Sequence, residues 1–377
     1  MQIEHKDIDK FLPFGEALRG FANQRFISAH ELRSILKERG IFVLSSDKDY
    51  IVPILQTLLL SPFEFDKIRE AFSRKEDNEK KISRDITFPI DSILFQPDMM
   101  NVDVESYLTK HLPTCELAHP ISFIQDSRNP NHIRATFKII RHDLNKSWYE
   151  QTNEFCGSVE IINDNGKGTI RITHTSSETK DLAEHIVNAQ IKQYKAKGLL
   201  KENATPQRIL FSQFSNSTRF AFFFRLTTKI ENSSIFTFID IQDISLKPQD
   251  DCALPEEILW MEDVQRIIIS GKSLNKKTFM REEKFYRNIE VWSIDASFEY
   301  NYHGQKGSVC ICFGFPDFSS KGNAAEFEVN IKSLTPNNSL NHRERKDLKT
   351  KLLIEMDKHK SAVYANYLEY LKNKGMS

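Results

Sequence analysis

Residues 1–83 carry apolar side chains at the spacing of amphipathic helices. The motif Ser28-Ala29-His30-Glu31 is a capping box ahead of one apolar stripe, and Gly40 is the residue type that commonly ends such a helix. Apolar spacing, with a proline at the start of the last segment, predicts two more helices over residues 46–60 and 62–74. We therefore expect a helical N-terminal head that contains a helix, an extended loop and a helix.

Beyond residue 84 the apolar pattern changes to alternation, which is typical of strands. The turn Asn163-Asp164-Asn165-Gly166 predicts a hairpin between two of them. Strands are predicted at residues 86–90, 93–95, 121–124, 133–141, 155–162, 169–174, 209–214, 220–227, 234–241, 290–302, 308–315 and 325–331. Helices are predicted at residues 104–111, 178–197 and 341–372, and one more is opened by Pro255.

These patterns predict an α+β fold, in which the N-terminal helical head is followed by one or two mostly antiparallel sheet units with long packing helices. The predicted domains are a helical one at 1–83, an α+β one at 84–250 and an α+β one at 251–377. The last contains a basic segment and a long C-terminal helix. Because both α+β stretches share an order of strands and then a long helix, the pattern leaves open whether they form one domain or two.

Charge and composition narrow the classes of function. The 377-residue chain has 52 Lys plus Arg and 52 Asp plus Glu, which excludes a uniformly basic nucleic-acid coat but allows a local basic patch. No apolar run approaches the roughly 20 residues of a membrane span, and the N-terminus lacks the features of a signal peptide. The five scattered cysteines are interpreted as reduced structural thiols. We expect a cytoplasmic protein without membrane contact.

Residues 266–287, here called the basic segment, predict contact with nucleic acid. Phosphate contacts release counterions, and exposed rings stack on unpaired bases. The segment interleaves its cations with Phe279, Phe285 and Tyr286 and contains only two acids. A solvated loop whose rings lie in the core has the same composition. The cations of this segment predicted to contact DNA are Arg266, Lys272, Lys276, Lys277, Arg281, Lys284 and Arg287.

The helix predicted at residues 341–372, labelled α10, begins with a second basic group that is also predicted to contact DNA and is here called the α10 cluster. Arg343, Arg345 and Lys346 lie in its first turns, where cations oppose the helix dipole. This placement favours a binding function over helix stability. A charged, solubilising helix face is the alternative interpretation.

A divergent Mg²⁺-dependent nuclease is the main alternative function. Restriction-type nucleases use an Asp on one strand and a Glu-x-Lys on the next to hold the metal and orient water. The chain has Asp317, Glu326 and Glu328 near predicted strands, but Glu328 occupies the place of the lysine. It contains no P-loop, no Gly-x-Ser-x-Gly elbow and no His-Glu-x-x-His motif. We therefore predict no catalytic residue, no cofactor site and no metal site.

Four sequence blocks lie near the N-terminus: Asp9-Lys10-Phe11-Leu12-Pro13-Phe14-Gly15-Glu16, Asn23-Gln24-Arg25-Phe26-Ile27-Ser28, Leu36-Lys37-Glu38-Arg39-Gly40-Ile41-Phe42 and Leu59-Leu60-Ser61-Pro62-Phe63-Glu64-Phe65-Asp66. Together they resemble one bacterial family, the second subunit of a two-gene anti-phage defence system carried on mobile elements, whose partner subunit looks like a restriction-type nuclease. The resemblance covers about residues 8–90 and implies a defence role beside a nuclease encoded by a neighbouring gene, but no site residues.

The basic segment and the resemblance together predict a non-catalytic DNA-sensing and scaffolding subunit of an anti-phage nuclease complex. Such a subunit belongs to a hetero-oligomer, contacts double-stranded DNA or its ends, and positions the nuclease. Besides the divergent nuclease, a protein-interaction subunit that senses a phage protein without DNA contact is a third hypothesis.

Overall fold

A computed structural model describes residues 8, 11–24, 27–76, 79–89, 102–126, 129–228, 230, 235–249 and 253–373. Helices precede and flank strands that are antiparallel, so the predicted α+β class is confirmed. Within the described residues, no helix combines the length and the apolarity that crossing a bilayer requires. The predicted strand at 93–95 lies outside the described residues.

The described part of the chain contains the following helices and strands. The helices are α1 (Gly15–Ala22), α2 (Ala29–Glu38), α3 (Lys48–Gln56), α4 (Pro62–Glu76), α5 (Val104–His111), α6 (Ser177–Ala196), α7 (Asn216–Leu226), α8 (Thr278–Arg281), α9 (Phe318–Lys321) and α10 (His342–Asn373). The strands are β1 (Lys80–Thr87), β2 (Cys115–Leu117), β3 (Ser122–Asp126), β4 (Asn129–His142), β5 (Thr152–Asp164), β6 (Lys167–His174), β7 (Phe236–Pro248), β8 (Ile267–Ser270), β9 (Ile289–Tyr302), β10 (Gln305–Gly314) and β11 (Glu328–Pro336).

The chain folds into two compact units that each use separate stretches of sequence. Unit 1 consists of Met1–Asn78, Phe88–Gly166 and Ile172–Glu202, and unit 2 consists of Glu79–Thr87, Lys167–Arg171 and Asn203–Ser377. The sequence instead predicts three domains that are each one continuous stretch of chain, with boundaries between residues 83 and 84 and between 250 and 251. These boundaries stay a prediction.

In unit 1, the helices α1 to α4 of the head enclose a hydrophobic core. The capping box at the start of α2 is confirmed, because the backbone N–H of Ser28 donates to the Glu31 carboxylate at 2.8 Å while the Ser28 side chain accepts from Glu31. Gly40 has φ +77° and ends this helix as predicted. The ring of Trp148 lies 5.6 Å from that of Phe21, so a later part of unit 1 completes the core of the head.

The strands of unit 1 are organised around β4, which pairs antiparallel with β2, β3 and β5. Helix α6 buries Ile186 and Tyr194, and the Tyr194 ring meets that of Phe88 edge-on at 5.9 Å. Asn165 and Gly166 have φ values of +50° and +90°, so the turn predicted between β5 and β6 is confirmed.

In unit 2 the strands follow the order β1-β11-β10-β9-β7-β8, and every neighbouring pair in this order is antiparallel. One hydrophobic core contains Phe298 of β9, Phe313 of β10 and Ile331 of β11. Phe223 of α7 and Leu352 of α10 belong to the same core. Both helices therefore pack through their apolar sides onto the strands of unit 2.

The strand predicted at residues 220–227 is wrong, because this stretch lies in helix α7. The Ser215 side chain caps the helix by accepting from the backbone N–H of Thr218 at 3.3 Å. Phe220, Phe222 and Phe223 are all buried. A short apolar run that is buried on several sides has the same pattern in a strand and in a helix, so only the serine cap distinguishes the two.

Four further stretches differ from the prediction. Residues 209–214 contain a 3₁₀ turn, Phe211–Gln213, instead of a strand, and Pro255 precedes the 3₁₀ turn Glu256–Met261 instead of an α-helix. Strand β1 begins at Lys80, inside the range predicted as helical, because it pairs with the distant strand β11. Strand β8 is an additional edge strand on β7. The other predicted elements within the described residues overlap observed ones and are confirmed.

Candidate nucleic-acid interface

The basic segment of unit 2 runs through strand β8 and then a series of short turns into strand β9. Lys276 ends the turn Leu274–Lys276, Arg281 ends α8, and Lys284 and Arg287 lie in the 3₁₀ turn Glu283–Asn288. The seven predicted cations are all exposed: Arg266, Lys272, Lys276, Lys277, Arg281, Lys284 and Arg287.

The apolar residues of the basic segment explain this orientation, because they anchor it to the core. Leu274, Met280 and Phe285 are buried, as is most of Tyr286, whose hydroxyl donates to the Met280 carbonyl at 2.9 Å. The expectation that Phe285 and Tyr286 stack on bases as exposed rings is therefore wrong for both. The side chain of Phe279 lies outside the described residues. The segment presents charge to solvent and keeps its described rings inside.

Acidic neighbours reduce the charge that one of these cations presents. The Nζ of Lys284 lies 2.7 Å from a Glu257 carboxylate oxygen and 3.1 Å from one of Glu282. The hydrogen bonds that Lys284 donates to these two carboxylates raise its pKa. A phosphate has to compete with them for this ammonium group. Lys276, Lys277 and Arg281 are therefore the stronger candidates for DNA contact in the segment.

The α10 cluster lies at the far end of a 32-residue helix. Glu344 and Asn341 cap its start through reciprocal hydrogen bonds of 2.9 and 3.0 Å. Arg345 donates to the backbone carbonyl of Leu334, and Lys346 is half-buried, whereas Arg343 is exposed. At a rise of 1.5 Å per residue, Arg343 lies about 36 Å from Tyr367 at the other end of α10.

A cavity of about 720 Å³, here called the α7–α10 cavity, lies beside the basic segment within unit 2. Lys284 and Arg287 of the 3₁₀ turn line it together with Arg225 of α7. Two tyrosines of α10, Tyr367 and Tyr370, contribute further lining side chains. The structure thus brings two of the predicted cations to a concave site and places the α10 cluster well away from it.

A buried polar layer supports this cavity. The Tyr367 hydroxyl donates to the Gln213 carbonyl at 2.8 Å. The Arg219 guanidinium donates to the Phe214 carbonyl at 3.0 Å and lies 3.3 Å from the centre of the Phe211 ring. Burial lowers the pKa of Arg219 to about 10, so it remains a cation at neutral pH. These contacts fix the start of α7 against the end of α10.

Sequence reasoning missed the cavity because residues 220–227 were interpreted as a strand. In a strand, Ala221 and Arg225 share a face, but Thr218 lies on the opposite face. In the helix, Thr218, Ala221 and Arg225 follow at spacings of three and four and face the cavity together. The Ser215 cap is the sequence signal from which this helix was predictable.

The acids proposed for a divergent nuclease are engaged with cations or buried. One carboxylate oxygen of Glu326 lies 2.7 Å from Arg84 and the other 2.7 Å from Arg208. Burial by itself raises the pKa of Glu326, but the hydrogen bonds and charges of both arginines outweigh it and lower that pKa. Asp317 pairs with Lys321 at 2.9 Å, and Glu328 is buried. Within the described residues, no three His, Cys, Asp or Glu side chains are close enough to hold a metal ion.

Among the described residues, four cysteines are not in a disulfide bond: Cys115, Cys156, Cys310 and Cys312. Burial raises the pKa of Cys310 to about 11 and that of Cys312 to about 12. Both therefore remain protonated at neutral pH, which agrees with a structural role. Cys252 lies outside the described residues.

The head exposes large apolar side chains, here called the head apolar surface: Phe42, Leu44, Leu59 and Phe63. Their exposed fractions are 76%, 100%, 76% and 69%. Arg39 ties the two parts of this surface together, since it donates to the Leu59 carbonyl at 2.7 Å and pairs with Glu64. Phe42 also lines a groove of about 380 Å³ beside cationic side chains of α2.

Comparison with known proteins bears on the head. No curated protein matches the chain. The crystal structure of DynU16, from the dynemicin biosynthetic locus, aligns with 76% of this chain and 97% of its own chain at 9% sequence identity. The TM-score of this alignment is 0.16, which is too low to indicate a shared fold. Residues 16–78, which include α2, α3 and α4, match the family described as the GAPS4b protein N-terminal domain, and this match suggests a protein of the GAPS anti-phage defence family.

Proposed function

We propose that this chain is a non-catalytic, DNA-sensing and scaffolding subunit of a cytoplasmic anti-phage defence complex. It binds double-stranded DNA through the basic segment and positions a restriction-type nuclease encoded by a neighbouring gene. The observation that carries the DNA contact is the orientation of the segment, in which seven cations are exposed while Leu274, Met280 and Phe285 are buried.

This orientation favours phosphate contact without base readout. Exposed Lys and Arg side chains neutralise phosphates, whereas sequence is read by side chains that reach the base edges in a groove. The chain has no net charge, so the attraction is local to the segment. We therefore expect salt-sensitive binding with little preference for sequence.

The non-catalytic part of the proposal is supported by the state of Glu326. A carboxylate that ligates Mg²⁺ needs oxygen atoms available to the metal. Both oxygens of Glu326 are instead bonded to arginines, and its side chain is only 3% exposed. The proposal therefore assigns DNA cleavage to the partner.

A charge-reversal variant, Lys276→Glu with Lys277→Glu and Arg281→Glu, tests the DNA contact. Fluorescence anisotropy with linear duplex DNA is measured for the chain alone and mixed with the neighbouring nuclease, with closed circular DNA as competitor. We expect affinity to fall by at least about tenfold and the salt dependence to become shallower by about 0.9 per lost phosphate contact.

The matched control reverses three exposed lysines elsewhere, Lys110→Glu with Lys146→Glu and Lys167→Glu, and changes the net charge equally. It is expected to bind within about threefold of the parent, because non-specific charge effects are screened beyond about 10 Å. Equal losses of DNA affinity in the charge-reversal variant and the control would contradict the proposal. So would full DNA binding and full phage protection by the charge-reversal variant.

The head apolar surface favours a second function, the docking of a protein partner. Exposed apolar patches on soluble proteins mark interaction sites, and Phe42 lines a groove with cationic side chains of α2 that suit an acidic partner surface. Phe42→Ser with Leu44→Ser is expected to abolish co-purification with the neighbouring nuclease. Ile124→Ser with Leu144→Ser, at exposed apolar positions outside the head, is the control and is expected to retain it. Retention by both variants would exclude this surface as the docking site.

A further inference from the structure

The α7–α10 cavity has the size and the lining of a small-molecule site. Its volume of about 720 Å³ lies within the roughly 300–1,000 Å³ typical of ligand pockets. Three separate stretches of unit 2 build it: α7, the 3₁₀ turn Glu283–Asn288 and the C-terminal part of α10. The cavity is therefore lined by three elements that all pack on the same hydrophobic core.

The cations of the cavity suit an oxyanion. Arg225 and Arg287 present guanidinium groups, whose planar fork matches phosphate in a bidentate geometry. Both side chains are exposed, whereas Lys284 is held by Glu257. Glu283 is the single carboxylate among the described lining residues, so the lining has an excess of positive charge. Hydroxyl groups of Ser217 and Thr218 offer additional hydrogen bonds.

The rings of the cavity suit a planar, aromatic group. Tyr286 stacks on Phe220 with ring centres 4.3 Å apart and an interplanar angle of 11°. Tyr367 stacks on Phe214 at 4.8 Å and 18°. The hydroxyls of both tyrosines are hydrogen-bonded to backbone carbonyls, so these largely buried rings form a fixed wall of the cavity and need no ordering when a ligand binds.

Tyr370 adds a third tyrosine at the mouth of the cavity. It is 40% exposed and lies one helical turn from Tyr367 on the same side of α10. A planar group that enters the cavity therefore meets the exposed ring of Tyr370, whereas Tyr286 and Tyr367 are largely buried and form the wall behind it. An aliphatic ligand gains no comparable stacking contact.

We propose that the α7–α10 cavity binds one nucleotide, with its phosphate at Arg225 and Arg287 and its base against the exposed ring of Tyr370. The nucleotide is either a free nucleoside monophosphate or one unpaired residue of a single strand. Base stacking on aromatic side chains beside cations is the common chemistry of both sources. The inference goes beyond the proposed duplex contact, because it depends on the cavity and not on Lys276, Lys277 or Arg281.

Calorimetric titration of the full chain tests the inference, with 2′-deoxyadenosine 5′-monophosphate, deoxyadenosine, inorganic phosphate and a single-stranded deoxyadenosine hexamer as the titrants. We expect the monophosphate or the hexamer to bind at least about tenfold more tightly than deoxyadenosine, since the nucleoside lacks the phosphate. Binding of the monophosphate indicates a free ligand, and binding of the hexamer alone indicates a strand. No binding of either, or equal affinity for inorganic phosphate and the monophosphate, would overturn the inference.

Two variants locate the binding in the cavity. Ala221→Trp fills it from an exposed position of α7, and Arg225→Gln removes one guanidinium without touching the core. Each is expected to weaken nucleotide binding at least about tenfold and to leave duplex binding within about threefold. Ala365→Trp, at an exposed α10 position outside the lining, is the control. Unchanged nucleotide binding in both cavity variants would overturn the proposal. The charge-reversal variant of the basic segment is expected to weaken duplex binding and to leave nucleotide binding unchanged, which distinguishes the two proposals.

Discussion

Glu326 is the residue whose surroundings most clearly separate a structural role from a catalytic one. It holds Arg84 and Arg208 at once, and its side chain and that of Arg84 are almost fully buried. Removing one partner of a buried ion pair leaves the other charged and desolvated, which costs about 3–5 kcal/mol. We expect Glu326→Gln to lower the free energy of unfolding by about this amount in urea denaturation.

Glu299→Gln serves as the control, because Glu299 is an exposed carboxylate on strand β9 of the same unit. Its effect is expected to stay within about 0.5 kcal/mol. If Glu326→Gln instead abolishes cleavage by the complex while stability and assembly are unchanged, Glu326 belongs to a catalytic site and the non-catalytic proposal fails.

The distance along the chain between hydrogen-bonded side chains decides whether their contact is predictable from the sequence. Ser28 and Glu31 are three positions apart, so their capping box was predictable from the sequence. The partners of Glu326 are 242 and 118 positions away. No local pattern indicates which of the chain's cations lies beside this carboxylate, and its pairing follows only from the packing of unit 2.

At the scale of an element, helix α4 begins with a cap that extends to another helix. The backbone N–H and the hydroxyl of Ser61 both donate to Glu64 at 2.7 Å. Arg39, just after α2, forms two further hydrogen bonds with the same carboxylate. The hydrogen bonds and charge of Arg39 lower the pKa of Glu64 to about 2. One side chain therefore caps α4 and fixes it against α2.

We expect Glu64→Gln to destabilise the head by about 2 kcal/mol at pH 7, as hydrogen bonds to charged groups do. Because the pKa of Glu64 is lower in the folded state, its contribution is complete above the ordinary value near 4.5 and is lost as the pH falls towards 2. Urea unfolding of the parent and the variant at pH 7, 4 and 3 measures the difference between their free energies of unfolding. This difference should become smaller as the pH falls. A difference independent of pH, or one shared by the control Glu202→Gln, would contradict this role.

Elements with local signals were predictable, and those without were not. Helix α10 was predicted closely because Leu348, Leu352 and Met356 keep a helical spacing and are indeed buried. Helix α7 was not, because its phenylalanines are buried on several sides. Since the α7–α10 cavity requires α7 to be a helix, the candidate ligand site became visible only with the structure.

At the scale of the whole molecule, the two predicted basic groups of unit 2 lie far apart. Arg343 is about 36 Å along α10 from Tyr367, which lines the α7–α10 cavity with Arg287. At 3.4 Å per base pair, this distance corresponds to about ten base pairs of duplex. The proposed function therefore predicts that a short duplex reaches the basic segment or the α10 cluster, but not both.

Arg343→Glu is expected to weaken binding of a duplex of about 20 base pairs by roughly threefold or more and to leave one of about 8 base pairs unaffected. Lys372→Glu, an exposed lysine at the other end of α10, is the control. Anisotropy with both lengths provides the measurement. An equal loss on both duplexes would mean that Arg343 is not a distal contact.

The sequence by itself determined the α+β class, the capped helices of the head, the turn at Asn165-Gly166 and the location of the basic segment. These features depend on hydrogen bonds between near neighbours, on backbone preference and on composition, all of which are local. Only the tertiary structure decided which rings of the basic segment are buried, that Glu326 is enclosed by two arginines, and that α7 and the end of α10 border a common cavity. Each of these follows from contacts between residues far apart in the chain, and burial in a shared core selects them.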